Sequence, residues 1–217
     1  MTAFVNLVDL AAEALGGRAL ECTDDFFAEV GNLVKPGRGV FDPDRYTERG
    51  KWMDGWESRR KRVPGHDHAT LALGAPGVIR ALDIDTNHFL GNHPPFASLE
   101  AAQLAPGASL ADAEWVELVP QSPLRPGSQN LFTAHDPRPF THVRLHIYPD
   151  GGVARLKVWG EVAPSFAPPA LDEETARHVR GGEVDLAAVV NGGKALAVSD
   201  AFFGPMDNLL LPGRATY

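Results

Sequence analysis

His142-Val143-Arg144-Leu145-His146-Ile147-Tyr148 is followed by Pro149-Asp150-Gly151-Gly152 and then by Val153-Ala154-Arg155-Leu156-Lys157-Val158-Trp159. In the first run Val143, Leu145 and Ile147 alternate with His142, Arg144 and His146, a period of two that puts apolar side chains on one strand face and polar ones on the other. Such a strand is half-buried and antiparallel. The Pro-Asp-Gly-Gly stretch between two β-prone runs predicts a β-hairpin over residues 142–159. Outward from it, strands are expected at residues 19–23, 69–73, 78–86 and 115–119. Residues 6–15, closed by Gly16-Gly17, read as a short amphipathic helix.

Composition agrees with a β-rich chain. The 22 glycines and 18 prolines among 217 residues are too many for a helical bundle and suit short strands joined by turns. That length supports a hydrophobic core without disulfide staples. The single cysteine, Cys22, has no intramolecular partner, and residues 1–10 lack a signal-peptide pattern, so a cytoplasmic location is expected. No run approaches the roughly 18 apolar residues of a membrane-crossing helix. A net charge of −8 argues against nucleic acid as a partner, because phosphate binding needs a basic face. The local run Arg59-Arg60-Lys61-Arg62 reads first as a solvated strip.

The chain contains a duplication. Val8-Asp9-Leu10-Ala11-Ala12 recurs as Val184-Asp185-Leu186-Ala187-Ala188, an offset of 176 residues. At the same offset Gly16-Gly17 matches Gly192-Gly193, Phe26-Phe27 matches Phe202-Phe203, and Pro36-Gly37-Arg38 matches Pro212-Gly213-Arg214. Half of the positions from Val8 to Phe41 are identical without a gap, more than biased composition produces. The expected organisation is one complete module over residues 1–163, a proline-rich linker over 164–182 that carries a short helix near 172–180, and the opening of a second module over 183–217.

Three segments are more polar than folding demands. Gly50-Lys51-Trp52-Met53-Asp54-Gly55-Trp56-Glu57-Ser58-Arg59-Arg60 offers an aromatic wall, carboxylates and guanidinium forks for an anionic ligand, although Trp52 and Trp56 can equally pack the loop down while the arginines form ion pairs. Asp83-Ile84-Asp85-Thr86-Asn87-His88-Phe89-Leu90-Gly91-Asn92-His93 closes a predicted strand, and Asp85, His88 and His93 can ligate a divalent metal, though not with a zinc spacing. His88 alone can serve as a general acid or base. The polar face of His142, Arg144 and His146 reads as solvated or interface-facing, and His66 and His68, beside Asp67, read as part of a turn before a strand. Gly-rich phosphate loops, nucleophile elbows and paired-cysteine zinc motifs are absent.

Taken together, the text of residues 6–160 resembles the allantoicase family. It includes Thr23-Asp24-Asp25-Phe26-Phe27, Asn32-Leu33-Val34-Lys35-Pro36-Gly37-Arg38, Tyr46 to Arg60, Asp83 to Phe89 and Tyr148-Pro149-Asp150-Gly151-Gly152-Val153-Ala154-Arg155. The resemblance implies an all-β fold of jelly-roll sandwiches of the galactose-binding-like type, two per family member, which matches the duplication. It also implies hydrolysis of allantoate to ureidoglycolate and urea, a carbon–nitrogen cleavage of a linear amidine in purine (allantoin) degradation. For that substrate, chemistry assigns Asp54, Glu57, Asp85 and His88 as acid–base candidates, and Trp52, Trp56, Arg59, Arg60 and Asn92 as candidates for binding. A divalent metal such as manganese and assembly into a homo-oligomer are both compatible with the sequence. The rival readings are a non-catalytic ligand- or carbohydrate-binding module and a structural subunit.

Overall fold

The computed structural model describes residues 7–164, 185–202, 204 and 206–211. Its strands are β1 (Val8–Asp9), β2 (Arg18–Cys22), β3 (Tyr46–Thr47), β4 (Gly50–Lys51), β5 (Trp56–Glu57), β6 (Asp67–Asp85), β7 (Phe96–Ala102), β8 (Val116–Pro123), β9 (Gln129–Thr133), β10 (Pro139–Tyr148), β11 (Gly152–Val153) and β12 (Arg155–Val162). All the pairings are antiparallel. The architecture is the all-β sandwich expected from the period-two pattern.

β6 joins the two layers. Its first part, 67–72, pairs with β2 on one side and β10 on the other, and β10 continues the layer to β7 and β8. Its later part, 77–85, pairs with β12 and β9, and β12 carries β1 at the edge. The passage between layers runs through Gly74-Ala75-Pro76-Gly77. A side chain at Gly74 would meet the Leu15 carbonyl oxygen at 2.5 Å, and one at Gly77 would meet the Glu161 carbonyl oxygen at 2.7 Å. Glycine permits both approaches. One register slip, between Trp159 and Gly160 of β12, moves the inward positions of β6 from Ile79 to Leu82 and Ile84. Leu71, Leu82, Ile84, Leu99, Leu145 and Leu156 are fully enclosed between the layers, at about 1.5–3 kcal/mol of burial each.

Several expectations are corrected. Residues 142–159 are not a hairpin: β10 pairs with β6 along 67–72 and again at 77–78, β12 pairs with β6 along 77–85, and the chain between them instead forms β11, which pairs with β5. A single long strand offers two partner edges, and turn chemistry alone does not say which strand fills each. The runs 69–73 and 78–86 are parts of that one strand. No α-helix forms at residues 7–15; β1 lies along β12 and a 3-10 turn follows at Glu13–Leu15. The physical reason is Asp9, whose Oδ1 accepts the amides of Ala11 (3.2 Å) and Val158 (3.0 Å) and so draws the backbone to the sheet. β7 and β9 are additional strands. The helix expected near 172–180 and most of the linker lie outside the described residues.

The duplication is visible in backbone geometry. The turn at Glu13–Leu15 ends on Gly16 (φ 101, ψ 6), and the turn at Val189–Asn191 ends on Gly192 (φ 88, ψ 7). The 3-10 turn Val30–Val34 has its counterpart in Met206–Leu210 at the same offset. Val189 of the second copy packs on Leu15 and Ala75 of the first. Among the described residues no helix is long and apolar enough to cross a membrane.

Candidate active site

At one end of the sandwich the segment after β6 is clamped onto the β10–β11 turn. The Gly152 amide donates to the Asn92 carbonyl (2.8 Å), and the Phe89 amide to the Thr86 carbonyl (2.9 Å). The Phe89 ring is fully buried and lies so close to Gly152 that a Cβ there would fall 1.9 Å from ring carbon Cδ1. A Cβ at Gly151, whose φ is 138, would fall 2.7 Å from both the Asn92 carbonyl oxygen and the Pro94 nitrogen. Only glycines accept this approach. β5 arrives from the other side, tied to β11 and to Ala28, whose carbonyl accepts the Glu57 amide at 3.0 Å.

These supports bring Glu57 and Asn92 together. Asn92 Nδ2 donates to Glu57 Oε1 at 2.7 Å, and no cation lies within ion-pair distance of Glu57 among the described residues. Burial pushes the Glu57 pKa above the usual carboxylate range, and the hydrogen bond from Asn92 only partly opposes it. The pair stands on the ridge between two lobes of a cleft. One lobe, of about 620 Å³, is lined by Glu57, Arg60, Lys61, Asn92, His93 and Asp150 among others. The second, of about 350 Å³, is lined by Glu57, Asn92, Arg49, Lys51, His88 and Leu90 among others. An uncommitted carboxylate with a raised pKa, facing guanidinium and ammonium groups, can exchange a proton with a bound anion.

Of the other residues singled out in the sequence, Arg60 and His88 reach these lobes. Arg60 is exposed and makes no ion pair among the described residues. His88 adopts a left-handed backbone (φ 67) and stacks on Phe41 with ring centroids 5.6 Å apart. Asp54 is instead committed to Arg155, a nearly inaccessible guanidinium, at 2.8 Å. Burial works to raise the Asp54 pKa, but its bonds from Arg155 and the Val40 amide outweigh this and hold it low. Asp85 is held by Arg38 through two bonds of 2.7 and 3.0 Å. Arg59 is paired with Asp24. Trp56 is fully buried, its Nε1 donating to the Asp24 carbonyl at 2.8 Å, and Trp52 lies under Arg45 in a separate groove. None of these five side chains lines either lobe; each is committed to packing or to an ion pair outside the cleft.

Asp85, His88 and His93 do not converge: among the described residues no group of three or more His, Cys, Asp or Glu side chains is placed to hold a metal ion. Lys61 and Asp150, which the sequence did not single out as site residues, line the first lobe. Lys61 pairs with the buried Asp67 at 2.6 Å, and its amide donates to Asp150 at 2.8 Å. The basic run around Lys61 was the only local signal, and it did not distinguish solvated from committed side chains.

The family model described as Allantoicase repeat matches residues 8–163. The chain is 47% identical over 207 residues to a probable allantoicase 1 of Burkholderia mallei, an alignment covering 95% of this chain and 59% of that protein. It is 46% identical over 212 residues to a probable allantoicase of Pseudomonas fluorescens, covering 98% and 61%. The crystal structure of Saccharomyces cerevisiae allantoicase superposes with a TM-score of 0.78 at 36% identity, over 97% of this chain and 60% of that one. A carbohydrate-binding module, CBM32-3, from a Clostridium perfringens family 31 glycoside hydrolase shares the fold alone, at 12% identity and TM-score 0.51 over 71% of this chain and 95% of that one. The chain therefore spans about three fifths of the length of the allantoicases it matches. With a full repeat matched and nearly half of its residues shared with these relatives, the chain belongs to the allantoicase family.

Proposed function

We propose that this chain takes part in the hydrolysis of allantoate to ureidoglycolate and urea, with Glu57 as the group that moves the proton. The observation that carries this reading is the state of Glu57: a half-buried carboxylate with raised pKa, bonded to Asn92, without a cation, on the ridge of a two-lobed basic cleft. Allantoate has two ureido groups and a carboxylate on one carbon. Arg60 anchors the carboxylate, and the two lobes take the two ureido arms on either side of Glu57.

Protonated Glu57 gives its proton to the leaving ureido nitrogen as the carbon–nitrogen bond breaks and urea departs. The water oxygen bonds to the same carbon, and its proton returns to the Glu57 carboxylate, which restores the starting state. Asn92 keeps the carboxyl group oriented through both transfers.

Urea release from allantoate by the purified chain, and by a version extended through a full second repeat, tests the reading. Glu57→Gln keeps the acceptor for Asn92 but cannot transfer a proton, so urea release should fall at least about 100-fold while allantoate is still bound. Allantoate binding with no urea release from either unsubstituted form would favour a non-catalytic module. Full activity in Glu57→Gln would remove Glu57 from the mechanism.

A further inference from the structure

The lobe beside Glu57 contains one side chain whose state the proposed reaction leaves unused. His93 lines it together with Glu57, Arg60, Lys61 and Asp150. Lys61 is occupied by Asp67, and Asp150 by the Lys61 amide. His93 Nδ1 is enclosed and has no hydrogen-bond partner among the described residues. Its backbone has little freedom to change this, because the Asn92 carbonyl is bonded to the Gly152 amide and the Pro95 carbonyl accepts the Leu124 amide at 2.9 Å. The backbone on both sides of His93 is therefore pinned.

An enclosed N–H without an acceptor is among the rarest arrangements in folded proteins, whereas an enclosed lone pair is tolerated more often. The neutral imidazole therefore keeps its hydrogen on the opposite nitrogen, and the edge that His93 offers the cleft is a donor. Glu57 is an acceptor in its charged form, and Arg60 is a cation suited to a carboxylate. A neutral donor next to them completes the set of partners that a ureido-carboxylate ligand needs: one for the carboxylate, one for the ureido N–H or leaving nitrogen, and one for the ureido carbonyl.

We infer that His93 is a specificity-determining residue of fixed tautomer, whose Nε2–H donates to a ureido carbonyl of the ligand in the Glu57 lobe. This rests on the function proposed above. It predicts discrimination: a ligand that lacks the carbonyl in that arm leaves the donor unpaired and binds more weakly.

The test combines a ligand-free and a ligand-bound measurement on the full chain. The imidazole nitrogen spectrum, assigned with His93→Gln, should show His93 as the Nε2–H tautomer. In allantoate titrations by calorimetry, His93→Gln, whose amide N–H reaches the place of Nε2–H, should bind within about threefold of the unsubstituted chain. His93→Asn, whose amide reaches only the Nδ1 position, should bind about five- to tenfold more weakly at an unchanged thermal midpoint. An Nδ1–H tautomer, or equal affinity in His93→Asn, overturns this inference alone. Absence of allantoate binding by the unsubstituted chain overturns the proposed function and this inference together.

Discussion

Four carboxylates near the strand ends show how surroundings divide one chemistry into different roles. Asp54 and Asp85 each face an arginine and serve the fold; removing Arg155 would leave Asp54 poorly compensated, the kind of change that costs about 3–5 kcal/mol at buried pairs. Glu57 has no ion-pair partner among the described residues and is the carboxylate to which proton transfer is assigned in the proposed reaction. Asp83 is the fourth case. It is buried, its Oδ1 has no hydrogen-bond partner among the described residues, and burial, opposed by the Gln129 bond and reinforced by the Asp85 charge, raises its pKa to about 6. A pKa raised by folding gives stability that is fully present below the unfolded value and is lost as pH rises through about 6. Asp83→Asn should remove that loss. Thermal melts of variant and unsubstituted chain should coincide near about pH 4, and the variant should melt several degrees higher near about pH 8. A variant that melts lower at the higher pH would show that Asp83 is stabilised as a charge.

Among the elements, the β10–β11 turn supports the candidate site through its glycines. Gly152→Ala would place a Cβ 1.9 Å from the buried Phe89 ring, so ring or backbone must move. The bond from Gly152 to the Asn92 carbonyl moves with it. The variant should lose about 1–3 kcal/mol in denaturant unfolding and lose allantoate binding, whereas Gly31→Ala, with open space around its Cβ and no place in either lobe, should change neither. Loss of stability with unchanged binding would detach Asn92 from the clamp. Period-two alternation in residues 142–148 identified β10 and its inward face, because one face of that strand is buried and the other half-solvated. The same pattern did not identify its partners, since pairing depends on β6 crossing between layers at Gly74–Gly77, a nonlocal event. The turn residues that suggested a hairpin are real, but they serve β11 and the loop over Phe89. Of the candidate site, Glu57, Asn92, Arg60 and His88, which line the two lobes, were legible as residue types in polar segments. The commitments of Asp54, Asp85 and Arg59 were not, because their partners Arg155, Arg38 and Asp24 lie 101, 47 and 35 residues away in the chain.

For the whole molecule, the duplication at an offset of 176 residues is also a duplication of conformation, down to the left-handed glycines that close the first turn of each copy. Seventeen residues repeated at one offset constrain backbone geometry even where the second copy contributes no strand among the described residues. The sandwich places its basic two-lobed cleft at the end where β5, β11 and the loop after β6 meet, and the protein's net charge of −8 makes that basic concentration local rather than general. The most direct measurement is a crystal structure of the Glu57→Gln chain with allantoate. The ligand should sit on the Glu57–Asn92 ridge, its carboxylate on Arg60 and one ureido arm in each lobe. Allantoate bound instead in the cleft of about 940 Å³ lined by Arg18, Gln103 and His142, at the opposite end of β10, would contradict the assignment of this site.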